Sequence, residues 1–215
     1  MNVVRLLSYV SALCVTAGVL SAMAIAAQAP GSPLSRFSPE QRKQLISGEV
    51  VFEYVINEHD EDDLGHGVAY AIIHRPARVC YDQMVKFNLK YQYFPRLKKT
   101  EIIKSDGNRV WVHEILDFKI AELEYVSLMI KDDANMRVDY SLDPEYPHDL
   151  EDFSGHYYFE EVDEDSALIT YAVSSVDVGL PVPGFIMKAL SSRDLPGVVE
   201  NVKKRFESDG KWTKS

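Results

Sequence analysis

The chain has 215 residues, of which 46% are hydrophobic and 26% are charged, and its formal net charge is −10 at pH 7. This length and hydrophobic content suffice for one domain with a substantial core, and no composition break divides the chain in two. The acidic excess argues against binding of nucleic acid and against electrostatic docking on anionic lipid.

Residues 1–29 have the pattern of a secretory signal peptide. Arg5 gives a short positive region, residues 6–26 form an apolar run, and Ala27-Gln28-Ala29 offers a small-x-small cleavage site. We therefore expect an exported, periplasmic protein, whose net charge changes from −10 to −11 because cleavage removes Arg5. The alternative is an uncleaved membrane anchor, since the apolar run is about long enough to span a bilayer.

The exported chain would keep one cysteine, Cys80, because Cys14 leaves with the signal peptide. One cysteine cannot form an internal disulfide. Cys80, Met84, Phe87 and Tyr91 recur at the spacing of a buried helical stripe, which predicts a helix over residues 77–91. We expect Cys80 to be a core residue of that helix rather than a nucleophile.

The segment between the signal peptide and the first strand contains a leader and a short helix. Residues 30–37 are rich in Pro, Gly and Ser, which predicts a flexible leader. Ser38 and Gln41 form a capping box with Pro39 at the first helical position, so a helix should run to about Ser47. We place this leader and helix at residues 30–44, the main domain at 45–207 and a tail at 208–215.

Eight segments of the main domain have the composition and alternation of strands. Three short polar turns, Asp106-Gly107, residues 132–135 and residues 163–165, connect neighbouring segments as hairpins. The predicted strands are residues 49–56, 67–74, 97–104, 109–120, 124–130, 136–142, 154–161 and 167–178.

Apolar residues near the C-terminus recur at helical spacing and predict an amphipathic helix. Pro196 either kinks one long helix or starts a second one that Asp194 caps. A preceding stripe lies at residues 185–190. This helix and the large antiparallel sheet must bury each other, which predicts an α+β fold. The later stripe consists of Leu195, Val198, Val199, Val202 and Phe206.

The order of these elements and several short motifs resemble the START-like superfamily, which includes polyketide cyclases and coenzyme Q-binding proteins. The resemblance covers about residues 45–207. The motifs that carry it are Gly67–Ala77 running into a helix at Arg78–Lys90, Phe94-Pro95 before a strand, Gly155–Phe159, and Val182–Phe185 leading to Arg193–Pro196 and Lys203–Arg205.

The resemblance implies a helix-grip fold, in which a curved antiparallel sheet wraps a long C-terminal helix and leaves an apolar cavity. Proteins of this superfamily carry lipids, sterols, quinones and polycyclic molecules, and some act as cyclases or hydrolases. A curled sheet with one covering helix also leaves part of its concave face unfilled on physical grounds. The superfamily does not share one set of catalytic residues, so none is transferred to this chain.

The candidate catalytic residues lie on one predicted strand. Glu114 shares one strand face with Val110 and Val112, whereas His113 and Asp117 share the opposite face, which we expect to be the solvated outer one. A cyclase- or hydrolase-type enzyme would use Glu114 or the His113/Asp117 pair.

No histidine pair has the spacing of a metal site, and the acidic loop between His59 and His66 fails the calcium-loop pattern at Leu64 and Ala71. No phosphate-binding glycine loop or dinucleotide fingerprint occurs, so we expect neither a metal nor another cofactor.

Aromatic and thioether side chains are the candidate ligand contacts, because rings with a polar group suit a pocket that orients an apolar guest. We expect sequestration of a lipid, isoprenoid, quinone or polycyclic molecule, with brief membrane contact as one route for its exchange. The candidate residues are Tyr91, Tyr93, Phe94, Trp111, Tyr125, Met129, Tyr140, Tyr158, Phe185 and Met187.

Overall fold

The computed structural model describes residues 31–55, 66–177 and 194–214. Within them, eight strands form one curved antiparallel sheet in the order β1-β2-β8-β7-β6-β5-β4-β3. All eight predicted strands are confirmed, with ends that differ by a few residues. The strands are β1 (Val51–Val55), β2 (His66–Ile73), β3 (Leu97–Asp106), β4 (Arg109–Asp117), β5 (Glu122–Asp132), β6 (Arg137–Leu142), β7 (Asp152–Asp163) and β8 (Ser166–Asp177).

Some predictions fall outside the described residues. These are the signal peptide at residues 1–29, the acidic loop between His59 and His66, and the apolar stripe at 185–190 with the ligand candidates Phe185 and Met187.

Three α-helices occur in the described residues: α1 (Pro39–Ile46), α2 (Ala77–Met84) and α3 (Asp194–Glu207). The capping box of α1 is confirmed, since Gln41 N donates to Ser38 Oγ at 3.3 Å and Ser38 N donates to Gln41 Oε1 at 3.0 Å. None of the helices that the structure describes is long and apolar enough to cross a membrane.

The helix predicted over residues 77–91 is wrong in its second half. α2 ends at Met84, and a 3₁₀ helix follows at Phe87–Gln92. A 3₁₀ helix has three residues per turn, so Phe87 and Lys90 project to the same side. Both are buried, whereas Tyr91 is 39% exposed. Cys80 is a buried free thiol, as predicted for a core residue.

Helix α3 packs against the concave face of the sheet and closes the main core. Leu195, Val199, Val202 and Phe206 are buried there, as the helical stripe predicted. The described part of α3 begins at Asp194, so the choice between a kink and a helix start at Pro196 depends on residues outside the described ranges.

The segment before β1 covers the convex face and forms a second core. A 3₁₀ helix at Pro33–Arg36 and helix α1 bury Leu34, Phe37 and Leu45. The prediction of a flexible leader at residues 30–37 is therefore wrong over the part that the structure describes, because two of its side chains are core residues. The sheet contributes Val51, Ile72, Val162 and Leu168 to this core.

Residues 208–214, which we call the strap, fold back from the end of α3 toward the 3₁₀ helix at Phe87–Gln92 and the start of β3. Trp212 N donates to Ser208 Oγ at 2.8 Å, and Lys214 N donates to Gln92 O at 2.9 Å. Near the strap, the β3–β4 pairing is interrupted by register shifts between Leu97 and Lys99 and between Ile102 and Lys104.

Candidate ligand-binding site

A cavity of about 100 Å³ lies between the concave face of the sheet and the start of α3. Its walls are mostly apolar and aromatic, and three charged residues, Lys90, Arg96 and Glu114, also line it. Ligand pockets commonly measure about 300–1,000 Å³, so a ligand of ordinary size needs the walls to move apart. The apolar and aromatic walls include Phe94, Leu116, Phe118, Tyr125, Phe153, Tyr171, Val173, Leu195 and Val198.

Two of these charged residues, Lys90 and Glu114, form a buried ion pair. Lys90 Nζ lies 2.8 Å from Glu114 Oε1, and the side chains are 6% and 2% exposed. Ser127 Oγ donates to Glu114 Oε2 at 2.6 Å, so both carboxylate oxygens have a donor. The Lys90 ammonium also lies 4.8 Å from the centroid of the Phe94 ring, a cation–π distance.

The backbone explains why these charges meet. Glu114 and Val112 both point to the concave face, because alternate residues of β4 face the core. The 3₁₀ helix turns Lys90 inward beside Phe87, as described above. The sequence analysis missed Lys90, because the predicted helical stripe was drawn from apolar and aromatic residues and cysteine. A charged residue one 3₁₀ turn after a buried aromatic was the available signal.

Tyrosines surround the ion pair and remain protonated over the physiological range. Burial, together with the negative charge of Glu114, raises the pKa of Tyr125 well above its ordinary value. Burial likewise raises the pKa of Tyr140, whose hydroxyl donates to Ala172 O at 2.8 Å. Tyr157 stacks on Tyr171 with centroids 5.7 Å apart, and its buried hydroxyl has no hydrogen-bond partner in the described part of the chain.

The structure brings only part of the predicted ligand set to the cavity. Phe94 and Tyr125 line it. Tyr93, Met129 and Tyr140 are buried in the concave core outside its lining, where they fill space between the sheet and the helices.

The other described candidates do not face the cavity. Trp111 lies on the convex face, where its Nε1 donates to Asp143 Oδ2 at 2.5 Å. Tyr158 stacks on His156 on that face, because strand alternation puts Tyr157 inside. Tyr91 is exposed beside an outer groove. These three placements correct the sequence-based set.

The alternative acid–base pair is also outside the cavity. His113 Nε2 lies 2.6 Å from Glu124 Oε1 on the convex face. Asp117 lines the outer groove and accepts a hydrogen bond from Lys119 N at 2.6 Å. Glu114 is therefore the one of the three catalytic candidates that reaches the cavity. No cluster of three metal-ligating side chains occurs among the described residues.

The outer groove has a volume of about 1,020 Å³ and lies outside residues 94–97, which we call the wall segment. Pro95, Arg96 and Leu97 line both the groove and the cavity. The wall segment thus lies between the cavity and the outer groove. Arg96 has a backbone φ of 56°, a conformation that non-glycine residues adopt infrequently.

Solved structures share this architecture at low sequence identity. A STAR-related lipid transfer protein fragment from Xanthomonas axonopodis has a TM-score of 0.59 and 12% identity, with 73% of this chain and 93% of that chain covered. The Zhui aromatase/cyclase from Streptomyces sp. R1128 has a TM-score of 0.54 and 15% identity, with 67% and 97% covered. Human StAR-related lipid transfer protein 5 has a TM-score of 0.58 and 12% identity, with 75% and 83% covered.

The chain has the START-like helix-grip fold. The resemblance seen in the sequence is thereby confirmed at the level of fold. No protein-family model matches the sequence, and no curated protein sequence matches it. Within the START-like fold, the concave face beneath the C-terminal helix is the place where this chain has its apolar cavity and its buried ion pair.

Proposed function

We propose that this protein binds a mostly apolar small molecule with one hydrogen-bond-accepting group in the cavity beneath α3. The observation that carries the proposal is the buried Lys90–Glu114 pair in a mostly apolar and aromatic lining. A buried ion pair is often no more stabilising than well-packed apolar residues, so its presence here favours a role other than stability. The solved neighbours named as lipid transfer proteins and as an aromatase/cyclase support the same class of guest.

Each part of the site has a role in this proposal. The aromatic and aliphatic walls remove the ligand's apolar surface from water, which contributes roughly 25 cal/mol per Å² buried. Both oxygens of Glu114 already accept hydrogen bonds, whereas Lys90 gives one of its three N–H groups to Glu114 and can donate another to the ligand. The expected guest is a lipid, isoprenoid, quinone or polycyclic molecule with a carbonyl or carboxylate.

The test compares three sixteen-carbon probes, hexadecanoic acid, 2-hexadecanone and hexadecane, by displacement of a bound fluorophore such as N-phenyl-1-naphthylamine. The Lys90→Met change should weaken binding of the acid or of the ketone at least tenfold, about 1.4 kcal/mol. Hexadecane binding should change less than threefold. Lys86→Met is the matched control, since Lys86 is an exposed lysine on the preceding turn. Failure of the wild-type protein to bind any probe would contradict the proposal.

A cyclase- or hydrolase-type activity is the second candidate, because Glu114 is an ionisable group at the cavity. Its engagement with Lys90 and Ser127 favours binding over proton transfer. Incubation of the protein with the molecules that co-purify with it should give no product. Turnover that is lost in Glu114→Gln would support the enzyme instead.

We also propose that the protein is exported to the periplasm, on the evidence of Arg5, the apolar run and the Ala27-Gln28-Ala29 site. N-terminal sequencing of the mature protein should begin between about Ala26 and Pro30. A full-length chain in the membrane fraction would favour the anchored alternative, and a full-length chain in the cytosol would contradict both.

A further inference from the structure

The wall segment is thin, and it has a backbone that needs support. Among the described residues, Pro95, Arg96 and Leu97 are the ones that line both the cavity and the much larger outer groove. Arg96 has a positive φ, and Leu97 N closes a tight turn onto Pro95 O at 2.7 Å. An unfavourable backbone conformation of this kind persists when the surrounding structure holds it in place.

The strap supplies that support through one ammonium group. Lys214 Nζ donates to Phe94 O at 2.5 Å and to Leu97 O at 2.7 Å, so it bridges the two ends of the wall segment. Both acceptors are carbonyl oxygens, and hydrogen bonds from a charged donor are stronger than neutral ones.

The strap is in turn fixed to α3 and to the neighbouring 3₁₀ helix. The Arg205 guanidinium on α3 donates to Trp212 O and to Gln92 Oε1, both at 2.7 Å. Gly210 has a φ of 73° at the turn that sends the chain back, and Gly210 N donates to Arg205 O at 2.8 Å. The bridge across the wall segment is therefore anchored on elements of the core.

We propose that the strap is a latch for the cavity: Lys214 holds the wall segment closed, and release of Lys214 joins the cavity to the outer groove. Lys214 is a positioning residue in this arrangement, because it acts on the wall and not on the guest. The cavity of about 100 Å³ is smaller than ordinary ligand pockets, so movement of the wall segment toward the larger outer groove would give a guest the room it needs. The role in guest exchange rests on the proposed function, whereas the closing of the wall does not.

Amide hydrogen exchange tests the bridge without any ligand. In Lys214→Met, exchange at the amides of Phe94 and Leu97 should rise about tenfold or more, while the amides of β4 and β8 stay unchanged. Lys214→Arg keeps a charged donor and should return exchange to within about threefold of the wild type. Lys211→Met is the control, because Lys211 is an exposed lysine of the same strap.

Two outcomes of this experiment contradict the latch. Unchanged exchange at Phe94 and Leu97 in Lys214→Met would show that the bridge does not hold the wall. An equal rise across the wall, β4 and β8 would show that Lys214 serves the stability of the whole fold.

Thiol labelling tests the opening itself. Val173 lines the cavity from β8, and Val173→Cys places a reactive group of similar size there. Iodoacetamide at pH 8 should label this cysteine at least fivefold faster when Lys214→Met is also present. The native Cys80 adds little background, because burial raises its pKa to about 12.

The same labelling rates with and without Lys214→Met would overturn the opening step. Because neither measurement uses a ligand, their failure is separate from failure of the proposed function, which the probe titration decides.

Discussion

The two faces of the sheet carry two cores with different chemistry. The convex core is aliphatic and aromatic, and its charged neighbours, Arg36 and Glu160, stay partly exposed. The concave core contains a buried lysine, a buried glutamate and several buried tyrosines, and it leaves a cavity. Both cores use β2, β7 and β8, along which alternate side chains face opposite ways, whereas Glu114 comes from β4, which contributes to the concave core.

This difference distinguishes residues that stabilise the fold from residues that have another function. Among the described residues, the convex core buries no carboxylate or ammonium group, and the buried Thr170 on that face accepts a hydrogen bond from Arg36 at 3.1 Å. Charges and unpaired hydroxyls in the concave core lower stability relative to apolar residues of the same shape. Groups that break a local rule in this way occur in proteins chiefly at functional or strained sites.

The largest effect should come from the apolar part of the concave core. Phe206→Ala removes a fully buried ring from α3 and should lower the free energy of unfolding by about 3–5 kcal/mol. Urea denaturation measures it, with Val79→Ala on the exposed face of α2 as a control that stays within about 0.5 kcal/mol. A loss below about 1 kcal/mol at Phe206 would mean that α3 does not close this core.

Breaking the Lys90–Glu114 ion pair should lower the free energy of unfolding by a similar amount. Replacing both residues by apolar ones should cost far less. Lys90→Met leaves Glu114 buried without its cation and should cost about 3–5 kcal/mol. The double change Lys90→Met with Glu114→Leu should be neutral or more stable than the wild type, by about 1–4 kcal/mol. Equal losses in the single and double variants would show that the pair is a structural element, against the contrast between the two cores.

The ion pair beside the convex core should contribute far less to the free energy of unfolding. Arg36 and Glu160 form a bidentate contact with distances of 2.9 and 2.6 Å, and both side chains are about a third exposed. Arg36→Met should cost about 0.5–1 kcal/mol, and the loss should shrink in 1 M salt because exposed charges are screened. A loss near that of Lys90→Met, independent of salt, would remove the difference between the two faces.

Removing the hydroxyl from each of two tyrosines in the concave core should change the free energy of unfolding in opposite directions. The Tyr157 hydroxyl is buried without a partner among the described residues, so Tyr157→Phe should stabilise the protein by up to about 1 kcal/mol. Tyr140→Phe loses the hydrogen bond to Ala172 O and should cost about 1 kcal/mol. Thermal unfolding of both variants decides the point, and a loss at Tyr157 would indicate an ordered water on its hydroxyl.

Local patterns predicted most of the fold. Strand alternation and turn residues located all eight strands, and the capping box at Ser38 located the start of α1. The apolar stripe of α3 predicted which side chains it buries. The resemblance to the START-like superfamily also predicted the fold, because it rests on the order of the elements along the whole chain.

The site was harder to predict, because it depends on which way single side chains turn. A change from α-helix to 3₁₀ helix after Met84 moved Lys90 inward and Tyr91 outward, and residue spacing alone does not reveal such a change. Trp111 and Tyr158 lie on the convex face, and the composition of their strands does not show which face of the sheet an aromatic side chain occupies. The contacts of Lys214 join the end of the described chain to residue 94, a distance along the sequence that no local pattern spans.

The two interruptions of β3 have a consequence for behaviour at high concentration. β3 is an edge of the sheet, and an edge strand offers unpaired backbone groups to a second copy of the chain. The register shifts after Leu97 and Ile102 break the flat geometry that such pairing requires, and Lys98, Lys99 and Lys104 add charge along it. We therefore expect the irregular and charged surroundings of the exposed Ile102 and Ile103 to oppose aggregation through this edge.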